Sequence, residues 1–266
     1  MLRLGLALLT LTASTTAGAH SFWLQPVDHT PEAGEETLIE FKIGDVGEAD
    51  DWGLYWERIA ALRLYGPDGV TDQQRAVRTT GVGETGSAVV SVRGEGTHVL
   101  AFESNPSFSD LDADRFNNYV EHEGLTAIAA HREITRSSDE NGTELYARRA
   151  KTLLQVGEAH TSNVTQPIGQ LLEIVPLQNP FALEEGAPLD LQVFWRGEPL
   201  KGAQLIEAPT DATGEYSSHQ TSADGVVRVA AANRPMLYTV TWGVPAPNDV
   251  RADYFTIFAS LTVASE

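Results

Sequence analysis

The chain has 266 residues, carries 18 Lys and Arg against 37 Asp and Glu for a formal net charge of −19, and contains no cysteine. That balance excludes nucleic acid as a partner, because the backbone term that dominates nucleic-acid affinity needs Lys and Arg. The missing thiol excludes disulfides, thiolate metal sites, a cysteine nucleophile and a lipid-modified cysteine as a membrane anchor. The acidic residues are spread along the whole chain and read as a solvated surface.

Residues 1–19 read as an export signal: Arg3 gives a positive start, Leu4 to Leu11 an apolar run, and Ala17-Gly18-Ala19 a small-residue cleavage pattern. The run is too short to span a bilayer as a helix, which favours a cleaved signal over an anchor. Cleavage after Ala19 leaves His20 as the amino terminus of a periplasmic or secreted protein. A terminal histidine carries an α-amine and an imidazole, two nitrogen donors able to close a chelate ring on nickel or copper.

From His20 to about Glu103 the pattern is that of short strands. Ile39, Phe41 and Ile43 alternate with Glu40 and Lys42, and Leu62 and Leu64 flank Arg63 ahead of the turn Gly66-Pro67-Asp68-Gly69. Between about Ser109 and Lys151 the period becomes helical. Phe116, Tyr119 and Val120 share one face after a cap in Ser109 to Asp112, Leu125, Ile128 and Ala129 make a second short face, and Leu145, Arg149 and Ala150 a third. Leu153 to Gly157 reads as a strand again. Glu158 to Gln166 is polar and reads as a linker, after which Leu189, Leu191 and Val193, the Asp224-Gly225 hairpin signal, and Tyr238, Val240 and Trp242 describe a second β unit. The expectation is a mainly β protein of two β-sandwich units. Residues 20–166 form a sandwich with a helical insert at about 109–151, and 167–266 an immunoglobulin-like or transthyretin-like sandwich.

Ala19-His20-Ser21-Phe22-Trp23-Leu24, Leu100 to Pro106, Phe116-Asn117-Asn118-Tyr119 leading to Glu123-Gly124-Leu125, Arg149-Ala150-Lys151, Leu172 to Pro176 with Asn179-Pro180, and Arg196 to Leu200 together resemble a family of exported bacterial proteins of unknown function that is often labelled NikM-like, for nickel uptake. The chain departs from that pattern near its end, where Trp242 and Asp253-Tyr254-Phe255 stand in place of a histidine. The resemblance implies a periplasmic accessory to nickel, cobalt or copper uptake or handling, with a membrane transporter component as partner.

The histidines show none of the close spacing that marks a metal site in sequence, and the trio Glu48, Asp50 and Asp51 lacks the order of a calcium loop. His20, with His98 and Glu103 as further ligands, is the candidate metal set, on the premise that the first strand pairs within the sheet that holds them. His122, His131 and His160 read as solvated, and His219 as a lone loop residue. A metal-free structural or interaction module is the rival class, and a histidine-brace copper oxygenase a more distant one. Phe22 and Trp23 fall on opposite faces of the first strand, so two different surroundings must cover them.

Overall fold

The computed structural model describes residues 21–45, 48–80, 85–211 and 215–264. The expected signal segment and His20 lie outside the described residues. The alternating segments build β1 (Ser21–Pro26), β2 (Glu36–Asp45), β3 (Glu48–Asp51) and β4 (Ile59–Gly66). Gly69, at φ 126°, turns the chain into β5 (Gly69–Asp72) with a backbone that only glycine adopts readily. β6 (Val77–Arg78), β7 (Ser87–Ser91), β8 (Gly96–Ser104) and β9 (Ser107–Leu111) follow. The side chain of Asp112 then accepts a hydrogen bond from the Arg115 amide at 3.0 Å and starts α1 (Ala113–His122), and α2 (Thr126–Thr135) packs beside it.

The third helical stretch expected around Leu145, Arg149 and Ala150 is a strand, β10 (Gly142–Val156). Its Glu, Leu, Ala, Arg and Lys residues favour helix intrinsically, but the segment lies between two other strands that pair with both rows of its backbone groups, and that pairing overrides propensity. The helical insert therefore ends at Thr135 and not near Lys151. The rest of the chain adds β11 (Leu172–Pro176), β12 (Pro188–Trp195), β13 (Glu198–Pro199), β14 (Gln204–Pro209) and β15 (Ser217–Gln220). β16 (Val226–Ala230), β17 (Met236–Pro245) and β18 (Tyr254–Val263) close it. Among the described residues, no helix is long and apolar enough to cross a membrane.

Among the described residues these strands form three sheets. The first runs β1-β2-β7-β6 with β3 on β2; the central sheet runs β15-β14-β17-β18-β10-β8-β4-β5 with β9 on β10; the third is β11-β12-β13 with β16 on β12. The central sheet joins the two halves of the chain. β10 and β18 pair in parallel from Glu144 opposite Tyr254 to Thr152 opposite Thr262, so strands of the 167–266 segment complete the sheet begun by the first segment. The boundary drawn at 166/167 thus cuts across hydrogen-bonded strands. Glu158 to Gln166 is likewise tied down at its centre. Thr161 Oγ1 accepts from the Thr97 amide at 2.9 Å, Asn163 Nδ2 donates to the Thr97 carbonyl at 3.1 Å, and Val164 is buried.

Strand alternation gives the central sheet two apolar faces. From β10, Ala150, Leu154 and Val156 enter the core under the first sheet with Phe22, Leu24, Phe41 and Phe102, while Ala147 and Leu153 enter the core under the third with Ile174, Leu191 and Val193. The helices sit on the same face as the first sheet, farther along, where Phe116, Tyr119 and Ile128 pack on Tyr254. Gly142 is required there, because a Cβ would enter the Phe116 ring. Phe22 and Trp23 are 3% and 2% exposed, so both faces of β1 are covered.

Lys151 and Glu173 join the central and third sheets inside this interior. Lys151 Nζ lies 2.8 Å from Glu173 Oε1, and the same carboxylate accepts from the amides of Ile168, Gly169 and Gln170 at 2.8, 3.0 and 3.2 Å. Four donors on one carboxylate offset the cost of taking both charges out of water.

Candidate functional site

The structure separates the residues that the sequence grouped. β1 pairs with β2 in the first sheet, whereas His98 and Glu103 are on β8 in the central sheet, so the premise that linked them to the amino terminus fails. Within β8 the two sit on opposite faces, five residues or about 17 Å apart along the strand, too far to share one ion. The His98 ring is 5% exposed and its Nε2 donates to the Gly94 carbonyl at 2.8 Å; burial lowers its pKa. Glu103 lies 3.4 Å from Arg149. His122 and His160 are exposed, His131 Nδ1 lies 3.3 Å from the Tyr254 hydroxyl, and His219 donates to Glu207 at 2.9 Å from β15. His29 is buried with Nδ1 donating to the Leu153 carbonyl at 3.0 Å. Among the described residues no three His, Asp or Glu side chains converge as a metal shell.

A different cluster stands against β1. Arg148, projecting from β10 toward the first sheet, lies within reach of four rings: Tyr146 at 5.1 Å, Trp52 at 5.4 Å, Phe22 at 5.8 Å and Phe258 at 5.9 Å from the guanidinium carbon to each centroid. Phe22 and Trp52 meet at 4.6 Å, edge to face. Arg58 lies 5.5 Å from the same Trp52 centroid and 5.4 Å from that of Tyr55. Burial is the main force lowering the Arg148 pKa, and the Arg58 charge lowers it further; hydrogen bonding to Tyr146 opposes both.

Neither guanidinium makes a close ion pair with a described carboxylate; the arginine ion pairs among the described side chains belong to Arg115, Arg149, Arg228, Arg234 and Arg251. Among the described residues the buried Nε of Arg148 has no hydrogen-bond partner. Arg132 shows the contrast: buried against the single ring of Phe116, it donates to Asn117 Oδ1, Ser138 O and Glu140 O at 2.9, 3.3 and 2.7 Å. Each ring is worth about 0.5–2 kcal/mol to a cation, which offsets part of the several kcal/mol that burying a guanidinium costs.

Behind Arg148 on the same face of β10, Glu144 is buried and accepts from the Tyr119 hydroxyl at 3.2 Å. Burial raises its pKa above the ordinary carboxyl value, opposed by the Tyr119 hydrogen bond and by the Arg148 charge. A carboxyl with a raised folded pKa contributes stability that is fully present below its ordinary value and is lost as pH rises through the folded value. Glu144→Gln keeps the shape without the charge. The variant should therefore gain on the wild type as pH rises from 4 to 8 in urea unfolding; parallel pH profiles would show that Glu144 does not titrate in the folded protein.

Sequence reading missed Arg148, Arg58 and Glu144. For two of them the signal was present: Glu144, Tyr146 and Arg148 alternate with Leu145 and Ala147, a period of two hidden by residues of high helix propensity. Arg58 follows the aromatic residues Trp52, Tyr55 and Trp56, of which Trp52 is buried while Tyr55 and Trp56 are 40% and 52% exposed.

The family described as a domain of unknown function, DUF4198, matches residues 17–246, and the chain belongs to that family. No curated protein matches the chain. Among solved structures, a DUF4785 family protein from Legionella pneumophila is 9% identical with a TM-score of 0.26, over 82% of this chain and 51% of that one. This chain thus spans about half the length of that protein. The D0-D1 domain of Intimin is 8% identical with a TM-score of 0.23, over 91% and 97% of the two chains. A chimeric titin Z1Z2 tandem is 11% identical with a TM-score of 0.21, over 93% and 99%.

Proposed function

We propose that this member of the DUF4198 family is an exported, periplasmic or secreted, non-enzymatic accessory that binds a transition-metal ion, nickel or copper, in metal uptake or handling. A membrane transporter component is its partner in this reading, which is the NikM-like one, and the two packed sheet pairs are taken as immunoglobulin-like. One observation carries it. Ser21, the residue that follows His20 in the chain, opens β1, whose next two side chains are buried, so cleavage after Ala19 leaves the two nitrogen donors of His20 one residue from a fixed strand. A chelate attached to a fixed strand loses less freedom on binding than one on a loose tail. His20 is the anchor of the proposed site. His98 and Glu103 do not both join it, for the geometric reason given above.

The test is titration of the correctly processed protein with nickel and copper, beside His20→Ala in the same processed form. His20→Ala should weaken binding by orders of magnitude, since the imidazole and the chelate ring both vanish, with the fold unchanged. Wild-type binding should also weaken below about pH 6, as the imidazole, of ordinary pKa ~6.5, takes up the competing proton. A processed protein that binds neither ion, or one that begins at Ser21 or later by mass spectrometry, would overturn the metal reading and leave a structural or interaction module.

A further inference from the structure

We propose that Arg148 and Arg58, framed by Trp52, Phe22, Tyr146 and Phe258, bind the carboxylate of a small organic acid with an aromatic or apolar body. The inference goes beyond the metal reading and stands without it. Its first ground is charge. In a chain of net charge −19, two guanidiniums lie within 5.5 Å of one indole centroid and neither pairs with a described carboxylate. The Arg58 charge disfavours that of Arg148. An anion relieves both at once, and a strongly acidic surface holds free anions off unless a local cationic pair receives them.

The second ground is the unused donor. The Arg148 Nε–H is buried without an acceptor among the described residues, whereas Arg132, buried against one ring, uses its donors on three acceptors. A guanidinium offers parallel N–H groups that match the two oxygens of a carboxylate, so a planar acid suits it better than a monatomic anion. The third ground is the frame. Four rings surround the guanidinium plane, and Arg58 and Tyr55, partly or largely exposed, open the cluster to solvent on the Trp52 side. Rings beside a carboxylate receptor favour a ligand that carries apolar surface next to its charge.

The experiment follows arginine side-chain Nε–H resonances in the full processed chain during titration with benzoate, acetate and inorganic phosphate, with no metal present. Benzoate is expected to saturate and to move the Arg148 Nε–H signal, assigned by its loss in Arg148→Lys. Affinity should fall about tenfold or more in Arg148→Lys, which keeps the charge and loses the fork, and severalfold in Arg58→Met, whose partly exposed position leaves the fold intact. Acetate should bind about tenfold more weakly than benzoate, for want of a ring. The proposal is overturned if the Arg148 signal does not move at millimolar benzoate, or if Arg58→Met binds benzoate as the wild type does. Acetate equal to benzoate, or phosphate tighter than both, overturns the class of ligand. Should Arg148→Lys fail to fold, Arg58→Met and the order of the three anions still decide.

Discussion

Glu173→Ala is expected to destabilise the protein by about 3–5 kcal/mol, the range for breaking a buried charged pair by removing one partner. Its carboxylate is 1% exposed and holds four donors: Lys151 Nζ at 2.8 Å and the amides of Ile168, Gly169 and Gln170. Removing it strands a buried ammonium, whose pKa burial already lowers, together with three amides at the entry to β11. Lys151→Met should cost less, because the three amides keep Glu173 satisfied and the replacement fills the space of the lysine stem. Urea unfolding followed by far-ultraviolet circular dichroism measures both. If Lys151→Met costs as much as Glu173→Ala, the amide cradle contributes nothing and the ion pair alone carries the effect.

The second large effect concerns the division of the chain. A fragment of residues 167–266 should not fold as a soluble monomer, although its alternating pattern taken alone predicts a self-sufficient sandwich. In the protein β18 is a central strand, with β17 on one side and β10 on the other. Without β10 the fragment exposes a β18 edge of ten residues whose side chains are nearly all buried, a template for pairing with other chains. The core under the third sheet also loses Val99, Ala147 and Leu153. Glu173 loses Lys151. Expression of the fragment followed by size-exclusion chromatography gives the answer: a soluble monomer with a cooperative thermal transition would show that the shared sheet is dispensable and that the boundary at 166/167 is a true domain boundary.

Local chemistry fixed much of the secondary structure without help from the fold. Period-two alternation placed the strands around Phe41, Leu62 and Leu191, and the helical face of Phe116, Tyr119 and Val120 placed α1, because a residue's environment on a regular element repeats with that element's own period. The absence of cysteine and the acidic surface were likewise matters of composition. What remained for the tertiary structure was pairing between distant segments. A parallel neighbour needs a long crossover, so nothing within β10 announces that it will lie beside a strand about 110 residues later, and its good helix formers argue for the wrong element until β8 and β18 take up its backbone groups. The same pairing decides the chemistry. It puts His98 and Glu103 in a different sheet from β1, and it brings Arg148 from β10, Arg58 from just before β4 and Phe22 from β1 around one tryptophan, a meeting that is a property of packed sheets and has no spacing in the sequence.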